Sequence, residues 1–546
     1  MITYSIRWTA RVAAGCLWCM CCAGPVPAAV YQFAVPTKDV EGREIAAFLW
    51  VPPAADRLRG VLLGGQTLME DAFAADPLVR RACTDEKLAI VYFVPPLDAT
   101  FDYRGKGAGA ALQTALDRLA AASGYRELSV APWCPFGHSV SSIFAIRVVC
   151  WAPERCFGAL SLKGGLPLPA DDPAASVAGV PVLAIKGQFE EFGPGPSGVL
   201  RDFEDRETAW KGMRRIILGL REKDERHLIA YLVEPGASHF AWSERLAPYA
   251  AEFVRQAARQ RIADWPADAA QPVKCRPLDP TAGALTGPEL GRERRAAAAA
   301  DFAGDRRNAF WHLGLDLAKQ ADALHTDLFA RQPQFVTFAD PKSERPIFVG
   351  HDLRLRLQPS WVGPDTFRVA GVFLDKAPDK YPAAPAPVGH APGPVRFRVF
   401  AGAAEPTAAD TFAVRLDGRG KPRAEVLAFH PGDATFRYAE QQGRMNLPAR
   451  LNRGRPQVIA FPRVGPMRLG GPPAKLAATS DAGLPVRYYV YSGPAVVEGD
   501  QLRLADLPVR AAVPLKIVVV AYQYGSAVEP LAQSAEPVSQ EVVVQK

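Results

Sequence analysis

The chain has 546 residues, 49% of them apolar and 22% charged, with 50 prolines and 45 glycines. That length exceeds what one hydrophobic core usually serves, and the composition excludes a disordered or collagen-like chain. A net charge of +7 is spread over 64 basic and 57 acidic residues. With no basic run beyond Arg292-Glu293-Arg294-Arg295, it leaves no electrostatic footprint for nucleic acid.

At the N-terminus, Arg7 and Arg11 precede an apolar stretch from Val12 to Cys22, which Gly24, Pro25 and Pro27 then break. This layout predicts a secretory signal peptide over residues 1–28, cleaved after Ala28 or Ala29, and a secreted or periplasmic protein. The stretch is too short to span a bilayer, and no other segment is a transmembrane candidate. Four of the nine cysteines lie in this segment, leaving Cys83, Cys134, Cys150, Cys156 and Cys275. An odd number cannot pair fully. Cys150 and Cys156 are the nearest candidates for a bridge; Cys150 reads equally as a small buried apolar residue.

Residues 30–264 alternate short apolar runs with helical stretches. The runs are Tyr31 to Val35, Ile45 to Val51, Val61 to Leu63, Leu88 to Phe93, Trp133 to Phe136, Ala159 to Leu162, Val182 to Ile185 and Leu228 to Val233. Such β-α alternation predicts a doubly wound, mostly parallel sheet, with the first two runs paired antiparallel at one edge. Residues 265–332 begin as a Pro/Asp/Ala-rich linker and continue as helical segments, Glu289 to Ala300 and Asn308 to Leu328. From 333 to 450 the pattern turns to strands separated by turn residues, which predicts a β-sandwich. A last unit spans 455–546.

Gly137-His138-Ser139-Val140-Ser141 follows an apolar run and opens a helical stretch rich in Ile143, Phe144, Ile146, Val148 and Val149. It resembles the nucleophile elbow of the α/β-hydrolase family, Gly-x-Ser-x-Gly. A strained turn exposes the serine, so its neighbours two residues away must be small. Gly137 meets that need, and Ser141 replaces the second glycine. Pro135 is an oddity in a central strand, since proline cannot donate to the ladder, and suggests a strand starting only near Phe136.

The resemblance implies a serine nucleophile, Ser139, activated by a histidine after the last strand. His239, in Glu234-Pro235-Gly236-Ala237-Ser238-His239-Phe240, has that place. The acid that orients it follows "VPVLAIKGQFEEF"; Glu190 is preferred to Glu191, with Asp202 as a further alternative. The oxyanion donors are assigned to the backbone N–H groups of Val140 and Gln66, with Thr67 and His138 placed among the binding residues. The order Ser, acid, His is that of the family. Ester hydrolysis through an acyl-enzyme is the implied reaction.

Within 455–546, Ala478-Thr479-Ser480, Gly483-Leu484-Pro485-Val486, Ser492-Gly493-Pro494-Ala495 and Val518-Val519-Val520-Ala521-Tyr522-Gln523 resemble bacterial immunoglobulin-like repeats. That likeness implies a spacer or adhesion module without chemistry.

Gly105-Lys106-Gly107-Ala108-Gly109 lacks the Gly-Lys-Ser/Thr ending of a phosphate loop. No histidine, cysteine or aspartate cluster has metal spacing, so neither metal nor cofactor is expected. Phe310 and Trp311 read as core rather than as a sugar platform. Only about fifteen residues, a length too short for a helical cap, separate Leu166 from Val180. The expectation is therefore a secreted serine hydrolase with a Ser-His-Glu triad, acting on a small-molecule or carbohydrate-borne ester, with acylated carbohydrate favoured by analogy. The competing readings are a secreted serine peptidase of the same fold and a non-catalytic surface protein on a hydrolase scaffold.

Overall fold

The computed structural model describes residues 31–546 apart from 66–67, 190–208, 267, 292–295, 348–354, 377–386 and 419–422. The expected signal peptide lies outside the described residues. The first part of the chain contains β1 (Phe33–Lys38), β2 (Glu44–Trp50), β3 (Gly60–Gly65), α1 (Met69–Ala75), α2 (Pro77–Asp85), β4 (Leu88–Val94) and α3 (Ala108–Ser123). It continues with β5 (Trp133–His138), α4 (Ser142–Trp151), β6 (Ala159–Leu162), β7 (Val182–Gly187), α5 (Ala209–Lys223), β8 (Ile229–Glu234) and α6 (Ala247–Arg261).

These strands form one sheet in the order β1-β2-β4-β3-β5-β6-β7-β8. β1 pairs antiparallel with β2, and β2 with β4; every later pairing is parallel. The parallel strands are buried along their length because helices and loops cover both faces. α2 packs on α6, α3 on β1, and α4 on β5 and β6. No helix occurs between β6 and β7, so no helical cap rises there.

Contrary to expectation, β5 begins at Trp133 and runs through Pro135. Its pairing passes at that residue from β3, opposite Val61 to Leu63, to β6, opposite Leu160 to Leu162. The missing N–H thus falls where the ladder to β3 ends and that to β6 begins, an interruption at which a central strand tolerates proline.

In residues 263–328 only the second expected helix forms, over part of its length; the rest is neither a free linker nor α-helical in its described residues. The chain first runs along the sheet domain, where Val273 N–H donates to Val130 O and Cys275 N–H to Glu154 O. A small sheet follows, of β9 (Ala284–Thr286), β10 (Ala297–Ala298) and β11 (Phe310–His312), and then α7 (Leu315–Thr326). Pairing of β10 and β11 on β9 overrides the helical propensity of the alanine run and of the segment before Gly314. Phe310 and Trp311 are buried, as expected of core residues. Buried Arg221 of α5 ties this insert down through the carbonyls of Ala309, Arg306 and His227.

The next part is all strand: β12 (Val336–Ala339), β13 (Leu355–Leu357), β14 (Ser360–Trp361), β15 (Thr366–Arg368), β16 (Ala370–Phe373), β17 (Arg396–Gly402), β18 (Ala404–Pro406), β19 (Thr411–Val414), β20 (Ala424–His430) and β21 (Ala439–Met445). Its main sheets are β13-β21-β20-β17 and β14-β15-β19-β18, around a core that includes Phe367, Phe412 and Val426. In the last part, Met467–Arg468, Val538–Gln545, Leu515–Tyr522 and Arg487–Ser492 make a four-stranded sheet.

That last part folds back on the first. Val509 N–H donates to Pro53 O. Arg510 reaches Glu127 at 2.9 Å and the carbonyl of Gly124 at 3.0 Å, with its guanidinium 4.9 Å over the Tyr125 ring. The buried core runs continuously from Phe48 and Leu63 through Phe310 and Leu317 to Ile517 and Val519. Among the described residues no helix is long and apolar enough to cross a membrane. The five cysteines Cys83, Cys134, Cys150, Cys156 and Cys275 are all free thiols, so the pair of Cys150 and Cys156 is unbridged.

Candidate functional site

The chain turns sharply where β5 ends. Ser139 adopts φ +52°, a left-handed conformation that costs a non-glycine residue about 1–3 kcal/mol and persists only where its surroundings enforce it. The enforcement is steric. A Cβ on Gly137 would sit 1.9 Å from the carbonyl oxygen of Ser141, so only glycine lets the strand and the following turn close on each other. Behind the turn α4 begins, and Ser142 Oγ accepts the Gly165 N–H at 3.0 Å, fastening the loop after β6 to the elbow.

His239 arrives from the loop after β8. Its Nε2 lies 2.8 Å from Ser139 Oγ, within reach for the hydroxyl to donate to an unprotonated nitrogen. The two residues singled out in the sequence are therefore brought together across 100 positions. The side chain of His239 is 3% exposed, so this contact is largely shielded from water.

Glu190, Glu191 and Asp202 lie outside the described residues, as do Gln66 and Thr67. The chain leading to Glu190 is described up to its neighbour. Gln188 N–H donates to Glu234 O, Phe189 N–H donates to Ala237 O at 2.9 Å, and Gly236 N–H donates to Gln188 Oε1. The segment that carries the expected acid is thus laced to the histidine loop. Val140 is in place at the start of the turn Ser139–Ser141, its side chain half exposed and its N–H at the N-terminal end of the helical run.

His138, expected among the binding residues, is turned away from solvent. It is fully buried, and its Nε2 donates to the carbonyl of His239 at 3.0 Å. The alternation of β5 turns its side chain under the histidine loop, where it supports that loop from below.

Several residues that the sequence did not flag hold this geometry. Buried Glu70, in the first turn of α1, accepts the N–H of Leu68 at 2.9 Å and that of His138 at 2.7 Å. One carboxylate therefore joins the loop after β3 to the residue before Ser139.

Lys163, fully buried and at φ +47°, follows β6. Its ammonium donates to Ser238 O at 2.7 Å and Ala241 O at 3.0 Å, either side of His239, and pairs with Glu234 at 3.0 Å. Arg245 meets the other Glu234 oxygen at 2.8 Å. Burial alone would raise the Glu234 carboxyl; Lys163, then Arg245, reverse that and hold it below its ordinary value. No local pattern marks these residues, because their partners are distant in sequence.

Beside the elbow opens a shallow, mainly apolar recess lined by Gly65, Phe93, Pro96, Leu97, Ser141 and Phe144. Among the described residues no cluster of histidine, cysteine or carboxylate side chains is arranged to hold a metal ion.

No family model matches the chain, and no curated protein matches it. Solved structures that it resembles cover about two fifths of it. Est1E from Butyrivibrio proteoclasticus is 11% identical, over 41% of this chain and 97% of that one, with a TM-score of 0.29. LpqC, a poly(3-hydroxybutyrate) depolymerase from Bordetella parapertussis, is 15% identical over 43% of this chain and 92% of its own, with a TM-score of 0.29. An S-formylglutathione hydrolase from Agrobacterium tumefaciens is 16% identical over 41% and 94%, with a TM-score of 0.28.

Proposed function

We propose that this protein is a serine hydrolase that cleaves carboxylic esters through an acyl-enzyme. The observation that carries the reading is the 2.8 Å contact between Ser139 Oγ and His239 Nε2 at a strained elbow. Ser139 Oγ attacks the ester carbonyl carbon while its proton passes to His239 Nε2. The carbonyl oxygen, now negative, is met by the N–H groups of Val140 and Gln66, and one such donor is typically worth about 3–4 kcal/mol in the transition state. The tetrahedral intermediate collapses, the C–O bond to the alcohol breaks, and the imidazolium returns its proton to the leaving oxygen. Water then repeats the sequence on the acyl-enzyme and frees the acid.

Glu190 takes the role of the acid behind His239, since Phe189 is bonded to Ala237, two residues from the histidine. The connection between β6 and β7 holds no helix, which favours a bulky alcohol. An acyl ester on a carbohydrate, met outside the cell if residues 1–28 serve as a secretion signal, fits that feature.

A fluorophosphonate probe should label wild-type protein and leave Ser139→Ala unlabelled. A panel of acetyl, butyryl and aromatic esters of sugars, with peptide amides alongside, gives the substrate class. Faster cleavage of amides would favour a peptidase. An unlabelled, inactive wild type would leave a scaffold without chemistry and sink the proposal.

A further inference from the structure

The loop that carries His239 does not lie free on the sheet domain. It runs beside β21 of the all-β part. Ser238 donates both its N–H and its hydroxyl to Glu440 Oε1, each at 2.8 Å, and Phe240 N–H donates to Gln442 Oε1 at 3.0 Å. Both partnerships span 202 residues, so alternate residues of the loop face alternate residues of the strand. Gly236 keeps the same spacing. At φ +72° it packs so closely that a Cβ there would sit 1.9 Å from the carbonyl oxygen of Tyr438.

The histidine is thus straddled: the amides before and after it are both held by acceptors from β21. These acceptors have backing of their own. Tyr438 donates its hydroxyl to the second Glu440 oxygen at 2.6 Å, and the Arg245 guanidinium stacks 4.1 Å over the Tyr438 ring. Gln442 is fully buried. Arg398 of β17 donates to Trp242 O at 2.9 Å, and Leu68 and Ala241 pack with Phe400 and Leu427.

Within the hydrolase reading, on which this rests, we infer that the all-β part completes the active site, with Glu440 and Gln442 as positioning residues for His239. A loop amide is a directional donor, and each acceptor fixes one side of the histidine in translation and rotation. The brace works through acceptor geometry and not through charge, since Gln442 is neutral and serves the same purpose as Glu440.

The test uses the full chain. Glu440→Ala, Gln442→Ala and the double variant are compared with wild type for fluorophosphonate labelling rate, for kcat and KM on a short-chain p-nitrophenyl ester, and for Tm. Loss of the brace should lower kcat and the labelling rate roughly 10- to 100-fold while KM stays within about twofold, as expected for a misplaced base rather than a lost binding contact. Glu440→Gln keeps an acceptor and should label at nearly the wild-type rate. If the double variant fails to fold, the single alanine variants decide the matter, since either one folded and with wild-type kcat would overturn the inference.

Wild-type kcat in a folded Glu440→Ala/Gln442→Ala protein would overturn the inference. So would Glu440→Gln as impaired as Glu440→Ala, since charge would then be what matters. Failure of the wild type itself to label at Ser139 would instead remove the hydrolase reading beneath it.

Discussion

Lys163→Met tests the buried support of the histidine loop. The substitution preserves most of the side-chain volume and removes an ammonium shared by Ser238 O, Ala241 O and Glu234 at 2.7–3.0 Å. Glu234, itself fully buried, keeps Arg245 as its remaining cation. Breaking a buried pair from one side costs about 3–5 kcal/mol, because a desolvated charge loses its partner. In a sheet domain of this size that corresponds to a fall of roughly 6–20 °C in Tm. The freed carbonyls flank His239, so kcat should fall roughly tenfold or more as well.

Thermal melts followed by circular dichroism, and hydrolysis of a p-nitrophenyl ester, read the two effects. Glu234→Gln supplies the second arm. If the pair is what stabilises, the double variant should be less destabilised than the sum of the singles, by a coupling of about 0.5–3 kcal/mol. The sign with pH follows from the lowered Glu234 carboxyl. Its contribution is present above the ordinary carboxylate value and is lost as pH falls through the folded one. A Lys163→Met protein within about 2 °C of wild type and with full kcat would refute the reasoning, since a change that small belongs to surface positions.

Two further outcomes follow from burial. Gly137→Ala should abolish labelling at Ser139 and destabilise by about 1–3 kcal/mol, the usual cost of overpacking, and a variant that labels normally would show that the elbow does not need glycine. His312 and His325 are fully buried, which pushes both imidazoles down to about 3. Between that value and the ordinary histidine value the unfolded chain binds protons that the folded one refuses, so stability falls as pH drops, by up to about 1.4 kcal/mol per pH unit for each. Urea midpoints measured at pH 7 and pH 5 check this; equal midpoints would contradict it.

The elbow was legible because its chemistry is local: Gly137, Ser139 and the helix after them constrain one another within a few residues. His239 was legible from its place after the last strand. The helix expected within 308–328 forms over Leu315–Thr326, but the alanine run before it does not become one, because an alanine run carries helix propensity wherever it sits, whereas pairing of Ala297 and Ala298 with Leu285 and Ala284 decides what it becomes. Glu440 and Gln442 left no sign at all. In the sequence they are polar residues of a strand, and nothing about them points to a loop some two hundred positions earlier.

The docking of Arg510 shows where this molecule cannot be cut. Tyr125 and Arg510 meet across 385 residues, so nearly the whole intervening chain must be threaded before that bond can form. A fragment ending at residue 264, where the sequence suggests a self-sufficient enzyme, would keep Ser139 and His239. It would leave the buried Glu127 carboxylate without its cation and strip the covering from Phe310's side of the sheet. Trimming from the C-terminus therefore removes walls rather than annexes.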